Sequence, residues 1–207
     1  HLNDLGSFMD YASVKAEFIK EIGDGTLIVN GHDPTIMGLL RELDFKGKLI
    51  TFGVDELPDS VGMKECVCGN EIAVKEIISG CGYYFCKCGL TTPQVDYIAT
   101  NVDLKNRTFD LHTPTEKLTV KMGIDGLHNV YNVTGVIIAA HEFLDLPYDK
   151  ILQSIATFTG VGGRMEEVGE VNGKDIFVDY AHNPAGVETV LKEFKKNPLS
   201  LILKESI

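Results

Sequence analysis

All five cysteines of this chain, Cys66, Cys68, Cys81, Cys86 and Cys88, fall in one short stretch. Four of them form two tight pairs, Cys66-Val67-Cys68-Gly69 and Cys86-Lys87-Cys88-Gly89. Thiolates bind Zn²⁺ tetrahedrally, and two pairs close the shell, which suits a structural site rather than a catalytic one. The glycine after each pair lets the backbone turn so that its amides can face the sulfurs. An odd count in one cluster, in a chain without secretory features, favours a metal over a disulfide framework. Free buried thiols, one disulfide and an iron–sulfur cluster are the alternatives, and Cys81 could replace one of the four.

Three further groups carry polar chemistry. Gly162–Pro184 places Arg164 and Glu166 ahead of a strand that ends in Asp179-Tyr180-Ala181-His182-Asn183-Pro184. A carboxylate, an imidazole and an amide there lie at the carboxyl end of a strand, where open α/β sheets bind ligands. A salt bridge from Arg164 to Glu166 or Glu167 is the bland alternative. Asn129 and Asn132 open a helix, where backbone amides face an anion or a ligand. Amide side chains both donate and accept, which suits the edge of a nucleobase, although Asn129 as a helix cap explains itself. Lys15, taken alone, reads as a solvated helical lysine.

The elements that must position these groups alternate. Residues 12–21 read as a helix, 26–30 as a strand, 34–43 as a short helix and 48–54 as a buried strand. This rhythm predicts a mostly parallel sheet with helices on its faces. It halts across the cysteines and resumes as short strands over 96–104, 107–112 and 117–121. Helices follow over 130–144 and 148–157, then a strand over 176–179 and a helix over 184–195 with proline at its start.

Length and charge set bounds. The chain has 207 residues, 44% of them hydrophobic and 24% charged, which is ordinary globular composition. A net charge of −11 argues against binding nucleic acid or an anionic membrane surface. No apolar run is long enough to span a bilayer, so no membrane insertion is expected. One strand and one helix after residue 164 bury too little to make a domain, so the chain reads as an internal piece of a longer protein.

The order of these motifs resembles the Mur ligase family of ATP-dependent amide and peptide ligases. The likeness rests on His1-Leu2-Asn3-Asp4 followed by Tyr11-x-x-x-Lys15, on Leu27–Pro34 (LIVNGHDP), on Gly126-Leu127-His128-Asn129-Val130-Tyr131-Asn132, and on Gly163-Arg164-x-Glu166 with Asp179–Pro184. It implies an α/β fold: residues 1–163 would be the second part of a central ATP-binding domain, and 164–207 the start of a Rossmann-like C-terminal domain. The stretch 64–92 would be a zinc-ribbon insertion similar to that of MurT-type amidating subunits. The resemblance further implies a carbamylated Lys15 and His1 at a Mg²⁺ ion, adenine contacts from Asn129 and Asn132, and Arg164 at the ribose and γ-phosphate of ATP. Asp179 and His182 would lie near the ribose, with Asn183 beside them. The expected cofactors are ATP, Mg²⁺ and a structural Zn²⁺. The expected activity is a cytoplasmic ligase joining a small-molecule acid to an amine through an acyl phosphate. A glutaminase partner would supply ammonia in the amidating variant. The phosphate-binding glycine loop of the family is absent here, so this segment by itself is expected to be inactive. A zinc-ribbon interaction module without nucleotide affinity is the non-enzymatic alternative.

Overall fold

A computed structural model of the chain describes residues 8–78, 80–164, 166–181, 186–187 and 190–191, with the side chains of 8–13 and 15 left out of that description. The chain divides into two compact units, His1–Thr157 and Phe158–Ile207.

The first unit begins with helix α1 (Phe8–Ile22), strand β1 (Thr26–Asn30), helix α2 (Pro34–Glu42) and strand β2 (Lys48–Val54). β1 and β2 pair in parallel, with Thr26 opposite Lys48 and Asn30 opposite Phe52. The sharp entry into α2 follows from Asp33 and Pro34. The Asp33 carboxylate accepts from the Thr35 amide at 2.9 Å as an N-cap, and proline occupies the first helical position, where no amide donor is needed.

Three strands of the same sheet come later: β6 (Tyr97–Asp103), β7 (Thr108–His112) and β8 (Lys117–Lys121). The sheet order is β1-β2-β6-β7-β8. β6 pairs with β2 in parallel, whereas β7 and β8 continue antiparallel. Between β2 and β6 the chain leaves the sheet and builds a separate antiparallel one from β3 (Ser60–Glu65), β4 (Glu71–Ile78) and β5 (Cys81–Tyr84).

Helix α3 (Leu127–Leu144) covers the five-stranded sheet. Val130, Val133, Thr134, Ile137 and Ile138 are buried along it, the spacing of a single helical face. They meet Tyr97, Phe109, Leu111, Val120 and Met122 in one core. Thr134 satisfies its buried hydroxyl by donating to the Val130 carbonyl at 2.8 Å. Helix α4 (Tyr148–Thr157) adds Ile151 and Ile155 to this core. The α/β architecture with flanking helices and an inserted cysteine-bearing sheet is the one the sequence implied.

The second unit contains a hairpin of β9 (Glu166–Val171) and β10 (Lys174–Val178). Its turn is Asn172-Gly173, both at positive φ, the chemistry of a two-residue hairpin. The sequence reading places only the second of these strands. The expected helix over 184–195 lies largely outside the described residues, as do His182, Asn183 and Pro184.

Candidate functional site

The two cysteine pairs fold as copies of one knuckle. In the first, the Cys66 amide donates to the Asn70 carbonyl at 2.8 Å and the Gly69 amide to the Cys66 carbonyl at 2.8 Å. In the second, Cys86 donates to Leu90 at 2.7 Å and Gly89 to Cys86 at 2.9 Å. Gly69 and Gly89 sit at φ of +80° and +87°, a conformation that strains any residue with a Cβ. Each knuckle closes a strand end, so the β3–β4 and β5 ladders bring four sulfurs together.

All four Sγ atoms lie within 4.8 Å of one another. Cys66 and Cys88 are 3.8 Å apart, and Cys68 and Cys86 are 3.5 Å apart. A tetrahedron with zinc–sulfur bonds of about 2.3 Å has edges of about 3.8 Å. The cage therefore has the dimensions of a four-thiolate zinc site and is too wide for disulfides, which need about 2.05 Å. Cys81 is not part of it. That thiol sits on β5 near Asp33 and Lys64, and burial pushes its pKa up to about 12.

Neighbours tune the exposed pair of sulfurs. Arg41 on α2 donates to Cys88 through Nη2 to Sγ at 3.1 Å and through Nη1 to the carbonyl at 3.3 Å. This hydrogen bond holds the Cys88 thiol down at about 6. The Asn70 amide donates to Cys68 Sγ at 3.2 Å and lowers that thiol as well. Cys66 and Cys86 are buried, and burial pushes Cys66 up to about 12. A dication would favour the thiolate at every position.

The nucleotide candidates of the first unit sit at the start of α3. The Asn129 side chain donates to the Asp125 carbonyl, and the Asn132 side chain donates to Asn129 Oδ1 at 3.1 Å. Gly126 occupies the N-cap position, so Asn129 lies inside the helix and does not cap it. Asn132 is exposed. With Ile28, Asn30, Phe52 and Tyr131 it lines an open depression of about 460 Å³ beside the carboxyl end of β1. Asn30 and Asp33 shape the turn after β1, Asn30 Oδ1 by accepting from the His32 amide at 3.0 Å.

In the second unit the Arg164 guanidinium lies over the Tyr180 ring, 5.3 Å from its centroid. Glu166 accepts from the Gly163 amide at 2.7 Å. Among the described residues no ion pair joins Arg164 to Glu166 or Glu167, so the bland reading of that arginine is not the one seen. Asp179 accepts from the Ala181 amide at 2.7 Å, a turn-forming contact. Lys15 falls on α1, but its side chain, like His1 and His182, is outside the described residues.

A model of the Mur ligase middle domain matches residues 1–140, well over half of the chain, and one of the Mur ligase glutamate ligase domain matches 163–203. The chain belongs to the Mur ligase family. A UDP-N-acetylmuramate–L-alanine ligase of Xanthobacter autotrophicus is 39% identical over 109 residues, covering 48% of this chain and 23% of that protein. Another, of Clostridium novyi, is 26% identical over 200 residues, covering 96% of this chain and 35% of the relative. Among solved structures, a pseudomurein peptide ligase type C from Methanothermus fervidus superposes with a TM-score of 0.75 at 30% identity, covering 91% of this chain and 38% of its own. MurF from Acinetobacter baumannii shares the fold, with a TM-score of 0.65 at 19% identity. This Mur ligase chain thus spans no more than about a third of the curated relatives named here.

Two features of this Mur ligase chain escape sequence reasoning. Arg41 reaches Cys88 across 47 positions, and no spacing rule links a helix cation to a distant thiol. His32 is the other. It is only 2% exposed, its Nδ1 has no hydrogen-bond partner among the described residues, and its ring lies between Tyr83 and Tyr131. Burial lowers its pKa to about 4 against a partly opposing Asp55. A histidine just after a buried strand was the only signal available.

Proposed function

We propose that this Mur ligase is an ATP-dependent carbon–nitrogen ligase acting on a cell-wall precursor or a similar acid in the cytoplasm. The observation that carries the reading is the ordered match to both family domains, with Asn132 exposed near the start of α3 and lining the depression, and the half-buried Asn129 hydrogen-bonded to it. The substrate carboxylate attacks the γ-phosphorus of ATP, ADP leaves, and an acyl phosphate forms. The amine then attacks the acyl carbon, loses a proton, and displaces phosphate through a tetrahedral intermediate.

In this reading Asn129 and Asn132 hold the adenine edge, Arg164 places a fixed cationic fork on the γ-phosphate, and Asp179 with His182 orients the ribose. Lys15, carbamylated, and His1 are the proposed Mg²⁺ ligands, since a hard cation takes oxygen donors that a bare ammonium cannot offer. Mg²⁺, when bound, neutralises charge on the phosphoryl group. The domains proposed are 1–163 for the central part, carrying the ribbon at 64–92, and 164–207 for the start of the C-terminal part. Cys66, Cys68, Cys86 and Cys88 hold a structural zinc, which the cage dimensions support.

The ribbon also favours a second variant, in which ammonia from a glutaminase subunit replaces the amino acid as the amine. Phosphate release from ATP by the full-length protein, screened over acid and amine pairs with ammonia among them, tests both. Release that requires an acid and an amine together is the expected result. No release with any pair, and no ATP binding, would leave only the zinc-ribbon module.

A further inference from the structure

The sheet that carries the thiolates grips the turn after β1 at several points. Tyr84 Oη on β5 donates to the Gly31 carbonyl at 3.0 Å, a buried bond. The Gly82 amide donates to the His32 carbonyl at 2.9 Å. Lys64 Nζ on β3 stands 3.7 Å from Asp33 Oδ1. The Tyr83 ring tilts against the His32 imidazole at 5.5 Å between centroids. Helix α2, which leaves this turn, is fastened to the knuckles themselves. Gly38 has no Cβ where Val67 packs, since one would come within 2.8 Å of that side chain. Arg41 clasps Cys88, and Met37 lies against the cluster that contains Cys66 and Cys86.

That cluster is small. Its buried members are Cys66, Ile72, Val74, Tyr84, Cys86 and Leu90, two of them metal-ligand candidates. So few apolar side chains do not hold three short strands in place without a staple, and in such units a metal supplies it. The route from the cage to the turn is short: Cys86 lies two residues from Tyr84, and Tyr84 bonds Gly31. Gly31 adjoins Asn30, which lines the depression with Asn132.

We infer that a zinc ion in the four-thiolate cage fixes the Asn30–Asp33 turn, so that metal occupancy sets the geometry at the carboxyl end of β1, beside the depression. This rests on the zinc assignment made above and adds a positioning role to it. His32 is the natural reporter. Among the described residues, Tyr83 from the ribbon, Tyr131 from α3 and the Asp55 carboxylate are the titratable groups that face it. While β5 stays in place, the imidazole stays dry and neutral. If β5 lifts away, Tyr83 goes with it and the ring meets water.

The test compares zinc-loaded protein with protein stripped by a chelator under reducing conditions, without nucleotide. Imidazole nitrogen NMR follows the His32 titration, and amide hydrogen exchange follows Gly82 and, as a remote control, Leu111 and Val120. The inference expects the His32 midpoint to rise by more than about one pH unit towards its ordinary value of about 6.5 on stripping. It also expects Gly82 exchange to accelerate at least about tenfold with the control amides unchanged. Zinc alone, added back, should reverse both. An unmoved His32 in stripped protein overturns the inference. So does opening of Leu111 and Val120 in step with Gly82, which would make the metal a general stabiliser. Fewer than one zinc per chain in the loaded protein removes the metal assignment and this coupling together, whereas phosphate release tests the ligase reading separately.

Discussion

The imidazole of His32 rests on the backbone of Gly53, so closely that a methyl group on Gly53 would lie 2.5 Å from Nε2 and 2.7 Å from Cε1. A turn residue after β1 and an interior residue of β2 thereby fix each other: the ring fits only because β2 carries a glycine at that point. Gly53→Ala should destabilise the protein by about 1–3 kcal/mol, the usual effect of forcing an extra methyl into a packed interior. Denaturant midpoints of the two proteins check this; equal midpoints would mean that the ring relocates freely.

His32 also predicts acid sensitivity. Its folded pKa of about 4 lies below the ordinary value of about 6.5, so the unfolded chain binds the extra proton first. Stability from this group is complete above about pH 6.5 and falls as pH drops towards about 4, by on the order of 3 kcal/mol in all. In His32→Gln the slope of unfolding free energy against pH over that window should flatten. An unchanged slope would assign the acid lability to other groups.

The thiols should separate into two classes. Cys66→Ser or Cys86→Ser should abolish stoichiometric zinc, because each removes one corner of a closed tetrahedron. Cys81→Ser should leave one zinc per chain, since that sulfur lies outside the cage and its buried thiol is held far from ionisation. Elemental analysis of purified variants decides between them.

Arg41→Gln keeps the four sulfurs but removes the cationic donor to Cys88 Sγ. Zinc affinity should fall about 10- to 100-fold, as when outer-shell partners of metal ligands are lost. Competition with a chromogenic chelator measures it, and unchanged affinity would reduce the Arg41 contact to a packing detail.

Asn132→Ala in the full-length protein should raise the KM for ATP about tenfold while leaving kcat nearly unchanged, the pattern of a lost ground-state contact. A fall in kcat at constant KM would contradict an adenine role for this side chain.

Much of the architecture follows from local sequence. Val130, Val133, Thr134, Ile137 and Ile138 announce a helix with one buried face by spacing alone, and Asp33-Pro34 announces the start of α2. The Asn172-Gly173 dipeptide carries its hairpin turn as openly, although the sequence reading leaves β9 out. Helix α3 starts three residues before the expected position because Gly126 takes the cap, a choice that periodicity does not encode.

The cysteine spacing by itself pointed to a metal site, because two short pairs with a glycine behind each suit a four-thiolate shell, but it left free thiols, a disulfide and a place for Cys81 open. The ordered polar motifs resembled one family, and the matches to both of its domain models bear that out. Only the tertiary structure decided that Cys81 stays outside the cage, that Arg41 from a helix 47 positions away attends Cys88, and that His32 is buried against two tyrosines. Those outcomes depend on how separate elements pack, and burial and through-space charge are properties of the assembled fold rather than of any stretch of chain.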